Sequence, residues 1–217
     1  YNLGTIFAKL EEYQPAIEHY DEAIRLDTQV ADFYNNRGAA YRELGEDQRA
    51  IEDYDTAIRL DPQSAAAYVN RGRAHRSLGQ HEEAIQDLDQ AIRLDPQFAG
   101  AYFNRGVSLD KVGQYQRAIV DYGEAIRLDS AYTDSYVNRG FAYNQLRQYQ
   151  RAIQDFDEAI RLDSRSAGAY YNRGLSYGSL GQYQRAIDDY DAAIHLDPQM
   201  ISAIVNRAIA HTELGNY

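Results

Sequence analysis

The sequence repeats every 34 residues without insertion or deletion, and this period constrains the fold more than any other feature. Asn holds one position of the repeat throughout, at Asn2, Asn36, Asn70, Asn104, Asn138, Asn172 and Asn206. Two positions later stand Gly4, Gly38, Gly72, Gly106, Gly140 and Gly174, with Ala208 last. A fixed period of this length predicts a solenoid in which each repeat packs against its neighbours. We expect a single solenoid over 1–217, made of a partial repeat 1–30, full repeats 31–64, 65–98, 99–132, 133–166 and 167–200, and a half repeat 201–217.

Each repeat reads as two helices. In 65–98 the pattern predicts a first helix over about 65–78, a break at Gly79, and a second helix over about 82–94. The second helix should end at Asp95, because Pro96 cannot continue a helix and restricts the residue before it. The whole chain is therefore expected to form thirteen helices and an all-α fold.

Composition excludes several classes of function. The net charge of −11 argues against nucleic acid as a partner, because a phosphate backbone requires clustered Lys and Arg. The sequence has no Cys, which excludes disulfides and thiolate metal sites. It has no apolar run near the roughly 20 residues that a membrane span needs. Because the chain begins with Tyr1, we expect it to be part of something longer, with a cytoplasmic location as the default.

The repeat resembles the tetratricopeptide repeat family over all 217 residues. In 31–64 the resemblance rests on Tyr34, Gly38, Tyr41, Ala50, Tyr54, Ala57 and Pro62. The departures are Tyr34, where the family often has Trp, and Arg37, where it often has Leu. The resemblance implies antiparallel helix pairs, a right-handed superhelical solenoid, and a concave groove lined mainly by the first helix of each pair.

Gly and Arg beside the repeated Asn have structural explanations. The Gly should let the partner helix approach closely. The Arg, present from Arg37 to Arg207, varies together with an Asp sixteen residues later, since the first repeat has Leu3 and His19 at these two positions. We therefore predict an Arg–carboxylate pair across each hairpin, such as Arg71 with Asp87. A solvated Arg, or a pair with a neighbouring repeat, is the alternative.

The Asn itself favours a binding role. Its amide can donate and accept at once, which suits the N–H and C=O groups of an extended peptide. Seven of them at one per repeat resemble the asparagine ladders in the tetratricopeptide superhelices of O-GlcNAc transferase and kinesin light chain. The alternative is that each Asn bonds to a neighbouring helix or loop and holds the stack together.

Two repeat positions, the residue before the Asn and the residue three after it, vary between repeats and lie beside the Asn on the first helix. They turn apolar along the chain, which predicts side-chain pockets, although packing between adjacent first helices would explain them too. The predicted peptide-binding residues are Asn36, Asn70, Asn104, Asn138, Asn172, Asn206, Arg73, Phe103, Val107, Phe141, Tyr171 and Leu175.

Catalysis finds no support, because no His stands with a plausible nucleophile or metal-ligand set. The Lys and Arg residues of a carboxylate clamp are also missing from the groove positions. The sequence therefore predicts a non-catalytic protein–protein interaction module that binds an extended peptide without a cofactor or metal. The alternatives are a substrate-recognition arm of a larger enzyme, such as a glycosyltransferase, and a scaffold that self-associates end to end.

Overall fold

The computed structural model describes residues 2–215, and within this range it contains thirteen α-helices and no strand, as predicted. The helices are α1 (Asn2–Lys9), α2 (Tyr13–Leu26), α3 (Ala31–Glu43), α4 (Asp47–Leu60), α5 (Ala65–Ser77), α6 (His81–Leu94), α7 (Ala99–Lys111), α8 (Tyr115–Leu128), α9 (Thr133–Gln145), α10 (Tyr149–Leu162), α11 (Ala167–Ser179), α12 (Tyr183–Leu196) and α13 (Ile201–Glu213). Odd-numbered helices are the first helices of the repeats and carry the repeated Asn.

The turn inside each hairpin depends on a residue with positive φ. Gly45 has φ of 77°, and the turn closes where the Glu46 N–H donates to the Tyr41 carbonyl at 2.9 Å. Gly79 adopts the same conformation with φ of 76°. Glu11 and Arg147 take this place in two turns, with φ of 61° and 57°, although the left-handed region is unfavourable for a side chain.

The turn between repeats depends on an Asp carboxylate. In the turn after α4, Asp61 Oδ1 accepts a hydrogen bond from the Gln63 N–H at 3.0 Å, while Pro62 prevents the helix from continuing. Asp27, Asp95, Asp129, Asp163 and Asp197 accept the same bond from the residue two positions later.

The helices form two compact units, an N-terminal unit of α1–α7 and a C-terminal unit of α8–α13. Inside each unit, consecutive helices pack together and first helices of successive repeats also contact one another. The core of the N-terminal unit contains Ile17, Ala40, Tyr41, Ala50, Ile51, Tyr54, Val69, Ala74, Ala84, Leu88, Ala91 and Ala101. The core of the C-terminal unit contains Ala186, Ile187, Tyr190 and Ala210.

The repeated Gly lets a large side chain of the partner helix reach the first helix. A Cβ at Gly140 would lie 2.7 Å from the Phe156 ring, and one at Gly174 would lie 2.7 Å from the Tyr190 ring. Both distances are too short for any side chain. The predicted close approach at the Gly is therefore confirmed in these hairpins.

In the described part of the chain, every helix is too short or too polar to cross a membrane.

Candidate functional site

In four hairpins, the Arg beside the repeated Asn holds the carboxylate predicted for it on the second helix. Arg139 donates to Asp155 through Nε at 2.8 Å and through Nη2 at 2.7 Å. The same two-bond geometry joins Arg37 to Asp53, Arg71 to Asp87 and Arg173 to Asp189. The predicted pairing is thus confirmed in these four hairpins.

The remaining guanidinium nitrogen, Nη1, bonds to a carboxylate of the preceding repeat. Arg71 Nη1 donates to Asp55 Oδ1 at 2.6 Å, and Arg173 Nη1 donates to Asp157 Oδ1 at 2.6 Å. Arg37, Arg105 and Arg207 bond in the same way to Asp21, Asp89 and Asp191. From the sequence, the pair across the hairpin and the pair with a neighbouring repeat are alternatives, whereas the structure contains both.

One position breaks this series. Gly123 stands where Asp55 and Asp157 stand in other repeats, and a Cβ at Gly123 would lie 3.5 Å from Arg139 Nη1. Among the described residues, Arg139 therefore holds a single carboxylate, that of Asp155. Burial raises the pKa of the Asp155 carboxyl, and the hydrogen bond from Arg139 opposes that rise.

Apart from the exposed Asn2, the repeated Asn residues lie half-buried or buried on the first helices. Four of them, Asn70, Asn104, Asn172 and Asn206, each donate an internal side-chain hydrogen bond. Asn70 Nδ2 donates to Asn35 Oδ1, and Asn206 Nδ2 donates to the Tyr171 hydroxyl, both at 3.0 Å. These two bonds join first helices of successive repeats. Asn104 and Asn172 instead donate to a carbonyl four residues earlier in their own helix, at 2.6 and 2.8 Å.

The residue 35 positions earlier decides between these two arrangements. Asn70 and Asn206 face the polar groups of Asn35 and Tyr171, whereas Val69 and Val137 stand at that position for Asn104 and Asn172. Because Val offers no hydrogen-bond partner, the amide turns to its own helix. In the described structure, the Oδ1 atoms of these four Asn residues accept no hydrogen bond, and Asn138 makes none with its side chain.

The predicted pocket residues differ in how far they join the core. Tyr171 and Leu175 pack against the core of the C-terminal unit, and the Tyr171 ring lies 6.0 Å from the Tyr190 ring. Phe141 is 39% exposed. In the N-terminal unit, Arg73 and Phe103 are half-buried. Val107, on α7, is half-buried too.

Two cavities that the sequence did not predict occupy equivalent places in the two units. One, of about 300 Å³, lies between α1, α2 and α3, and includes Asn36 and Tyr20 in its lining. The other, of about 330 Å³, lies between α11, α12 and α13, and includes Asn206 and Tyr190. The signal that could have found them is the position six residues after the Asn, which is small at Ala8 and Gly178 but large at Arg42 and Arg76.

No cluster of metal-ligating side chains occurs in the part of the chain that the structure describes.

Comparison with protein families identifies the repeat. The model described as "TPR repeat" matches residues 4–45, 38–75, 72–113 and 142–181. The model described as "Tetratricopeptide repeat" matches residues 99–132 and 167–200. No curated protein matches the chain significantly in sequence.

Solved structures share the fold at low sequence identity. YrrB, described as a TPR protein with an unusual peptide-binding site, is 24% identical with a TM-score of 0.75, over 88% of this chain and 99% of that one. MamA is 25% identical with a TM-score of 0.71, over 78% of this chain and 92% of that one. A chain of the APC/C hetero-tetramer Cut9–Hcn1 is 21% identical with a TM-score of 0.82, over 96% of this chain and 41% of that one. Since the family models cover well over half of the sequence, the chain belongs to the tetratricopeptide repeat family.

Proposed function

We propose that this protein binds an extended peptide along its first helices, with the repeated Asn residues contacting the peptide main chain and the apolar columns contacting its side chains. The coarser part of this function follows from the family, whose repeats are protein–protein interaction modules and indicate no enzymatic activity. YrrB shares the fold and is described as having a peptide-binding site, so tetratricopeptide repeats of this kind can carry one.

The observation that carries the proposal is the unused acceptor of the Asn amides. In Asn172, Nδ2 is fixed by its bond to the Gly168 carbonyl, while Oδ1 accepts nothing among the described residues. Asn206 is fixed through Nδ2 by the Tyr171 hydroxyl, and its Oδ1 is likewise unused. An amide held on one side and unpaired on the other is pre-oriented to accept an N–H from an extended chain.

The apolar contribution comes from the residues three positions after the Asn. Phe141 and Ile209 are 39% and 53% exposed, which is more than a side chain that serves only the core requires. Leu175 lies between them in the repeat order and is half-buried. Main-chain bonds with side-chain pockets beside them are the division of roles found in strand-type peptide recognition.

The test begins with a selection from a random dodecapeptide library on the immobilised protein. The affinity of an enriched peptide is then measured with each backbone nitrogen methylated in turn. Methylation removes the N–H that the Asn Oδ1 would accept, so affinity should fall at some positions and stay unchanged at others. A uniform response along the peptide, or no enriched peptide at all, would contradict the proposal.

Self-association is a second candidate that one observation favours. Helix α13 exposes Ile201, Ile204, Val205 and Ile209, and Leu214 directly after the helix is exposed too. Exposed apolar side chains gathered on one helix favour association with a partner in water, and a second copy of the chain supplies one.

A further inference from the structure

The two cavities are copies of one feature of the repeat. Each lining residue around Tyr190 has its counterpart 170 residues earlier around Tyr20, and 170 is five periods of 34. The cavity opens because the residue six positions after the Asn is small. A Cβ at Gly178 would lie 3.7 Å from the Tyr190 hydroxyl oxygen, so a longer side chain at this position would enter the cavity.

The N-terminal unit shows which side chain fills the equivalent space in another repeat. Arg42 stands at the position of Gly178, and Tyr54 stands at the position of Tyr190. Arg42 Nε is buried, and its guanidinium forms an ion pair with Glu43. The Tyr54 hydroxyl is buried as well. Burial raises the pKa of Tyr54 to about 12, and the positive charge of Arg42 opposes that rise. The repeat therefore accommodates a largely buried cationic side chain at this position.

The cavity between α11, α12 and α13 lacks that internal cation but keeps the groups that would receive one. Asn206 Oδ1 is unused, and the Tyr190 hydroxyl has no hydrogen-bond partner among the described residues. Glu213 supplies a carboxylate at the rim. The apolar part of the wall is formed by Leu175 and Ile209.

Electrostatics favour the same type of occupant. Ser179 and Glu213 are the last residues of α11 and α13, where the helix dipole is negative and attracts cations. The net charge of the protein is −11, which also favours a basic partner.

We propose that the cavity lined by Gly178, Tyr190, Asn206 and Glu213 binds a Lys or Arg side chain of the peptide. This inference rests on the proposed function, because it assigns a residue class to one position of the bound peptide. The aliphatic stem packs against Leu175 and Ile209, and the charged head meets Glu213, Asn206 Oδ1 and the Tyr190 hydroxyl.

The equivalent cavity in the N-terminal unit is an internal comparison. Lys9 stands there in place of Ser179, while Glu43 stands in place of Glu213. The Glu43 carboxylate is already paired with Arg42, and Lys9 adds a positive charge to the cavity wall, so a cation gains less in this cavity. Binding is therefore expected first in the C-terminal unit.

The experiment titrates the protein with Nα-acetyl-lysine methylamide while backbone amide chemical shifts are recorded by NMR. Nα-acetyl-norleucine methylamide has a similar stem without the charge and serves as the matched probe. The lysine probe should shift the amides of Gly178, Ser179 and Asn206, and should bind at least roughly tenfold more tightly than the norleucine probe. Nα-acetyl-arginine methylamide should act like the lysine probe.

Two variants test the cavity itself. Gly178→Arg places the side chain found at position 42 into the cavity and should abolish the shifts, whereas Gln150→Arg adds the same charge on the exposed face of α10 and should leave them unchanged. Glu213→Gln keeps the cavity open and should weaken binding of the lysine probe at least about threefold.

Equal affinity for the lysine and norleucine probes, or shifts that persist in both Gly178→Arg and Glu213→Gln, would overturn the inference. A failed peptide selection would count against the proposed function and would leave this titration unaffected, so the two failures are distinguishable.

Discussion

Arg71 and Asp87 form a two-bond ion pair between the helices of one hairpin, with Nε to Oδ2 at 2.9 Å and Nη2 to Oδ1 at 2.5 Å. The same guanidinium reaches Asp55 of the preceding repeat through Nη1 at 2.6 Å. One side chain thus fixes the hairpin and its position against the neighbouring repeat. The Tyr68 ring, 5.6 Å from the guanidinium carbon, adds a cation–π contact.

The two carboxylates of Arg71 should contribute differently to stability. Asp87 is buried and accepts two bonds, whereas the side chain of Asp55 is 51% exposed. Asp87→Ala should lower the free energy of unfolding by about 1–3 kcal/mol, which is less than for a fully buried pair because Arg71 keeps some solvent and a second carboxylate. Asp55→Ala should cost only about 0–1 kcal/mol. Urea denaturation followed by circular dichroism measures both, and equal losses would contradict the ranking.

Gly123→Asp should stabilise the protein by supplying the carboxylate that Arg139 lacks. The new Cβ meets Arg139 Nη1 at 3.5 Å, an ordinary contact, so the substitution introduces no clash. Replacing a helical Gly should itself gain about 0.3–0.5 kcal/mol, and the ion pair about 0.2–1 kcal/mol more. Gly123→Asn isolates the first contribution. The difference between the two variants should shrink in 1 M salt, and its absence at low salt would show that Nη1 does not receive the carboxylate.

Gly140→Ala should destabilise the C-terminal unit although Ala is the better helix former. The added methyl would lie 2.7 Å from the Phe156 ring, and overpacking of this kind costs about 1–3 kcal/mol. At Gly168 a methyl meets nothing within 4 Å, so Gly168→Ala should be neutral or stabilising. Thermal unfolding compares the two variants. Phe156→Leu should recover part of the Gly140→Ala loss, and a melting temperature unchanged by Gly140→Ala would contradict the close-packing explanation.

The 217-residue chain should self-associate through α13 at high concentration, which is the end-to-end alternative that the sequence raised. Val205 and Ile209 are 50% and 53% exposed. Light scattering should show a mass that rises with protein concentration, and Val205→Glu with Ile209→Glu should abolish the rise. Leu26→Glu, at a side chain that is 79% exposed on α2, is the control. A concentration-independent monomer mass would rule out this role of α13.

Helix positions and the Arg–Asp pairs could be predicted because they depend on local chemistry and on columns that vary together. Gly79 and Pro96 fixed the ends of the helices, and the joint change to Leu3 and His19 revealed the partner of the Arg. The second carboxylate is not predicted as a simultaneous partner, because the joint variation of the columns links each Arg to one Asp, although a guanidinium can donate to two carboxylates. The turns at Glu11 and Arg147 keep their geometry without Gly, which no turn preference predicts.

The surroundings of the Asn residues could not be predicted from one repeat. The partner of Asn206 is set by Tyr171 on another helix, and that of Asn172 by the absence of a polar group at Val137. The cavity at Gly178 likewise depends on the absence of a long side chain at that position, where other repeats have Arg42 or Arg76. Such features come from differences between stacked repeats, which become visible only once the stacking is known.

The affinity of a selected dodecapeptide for the Asn138→Ala, Asn172→Ala double variant tests the central claim most directly. Each main-chain bond contributes about 0.5–1.5 kcal/mol net, so losing two should weaken binding at least about fivefold while circular dichroism and thermal unfolding stay close to those of the parent. The matched control, Gln116→Ala with Gln154→Ala, removes two exposed amides from α8 and α10 and should bind normally. Normal binding by the Asn double variant, or its unfolding, would show that the Asn column holds the stack together and does not receive a peptide.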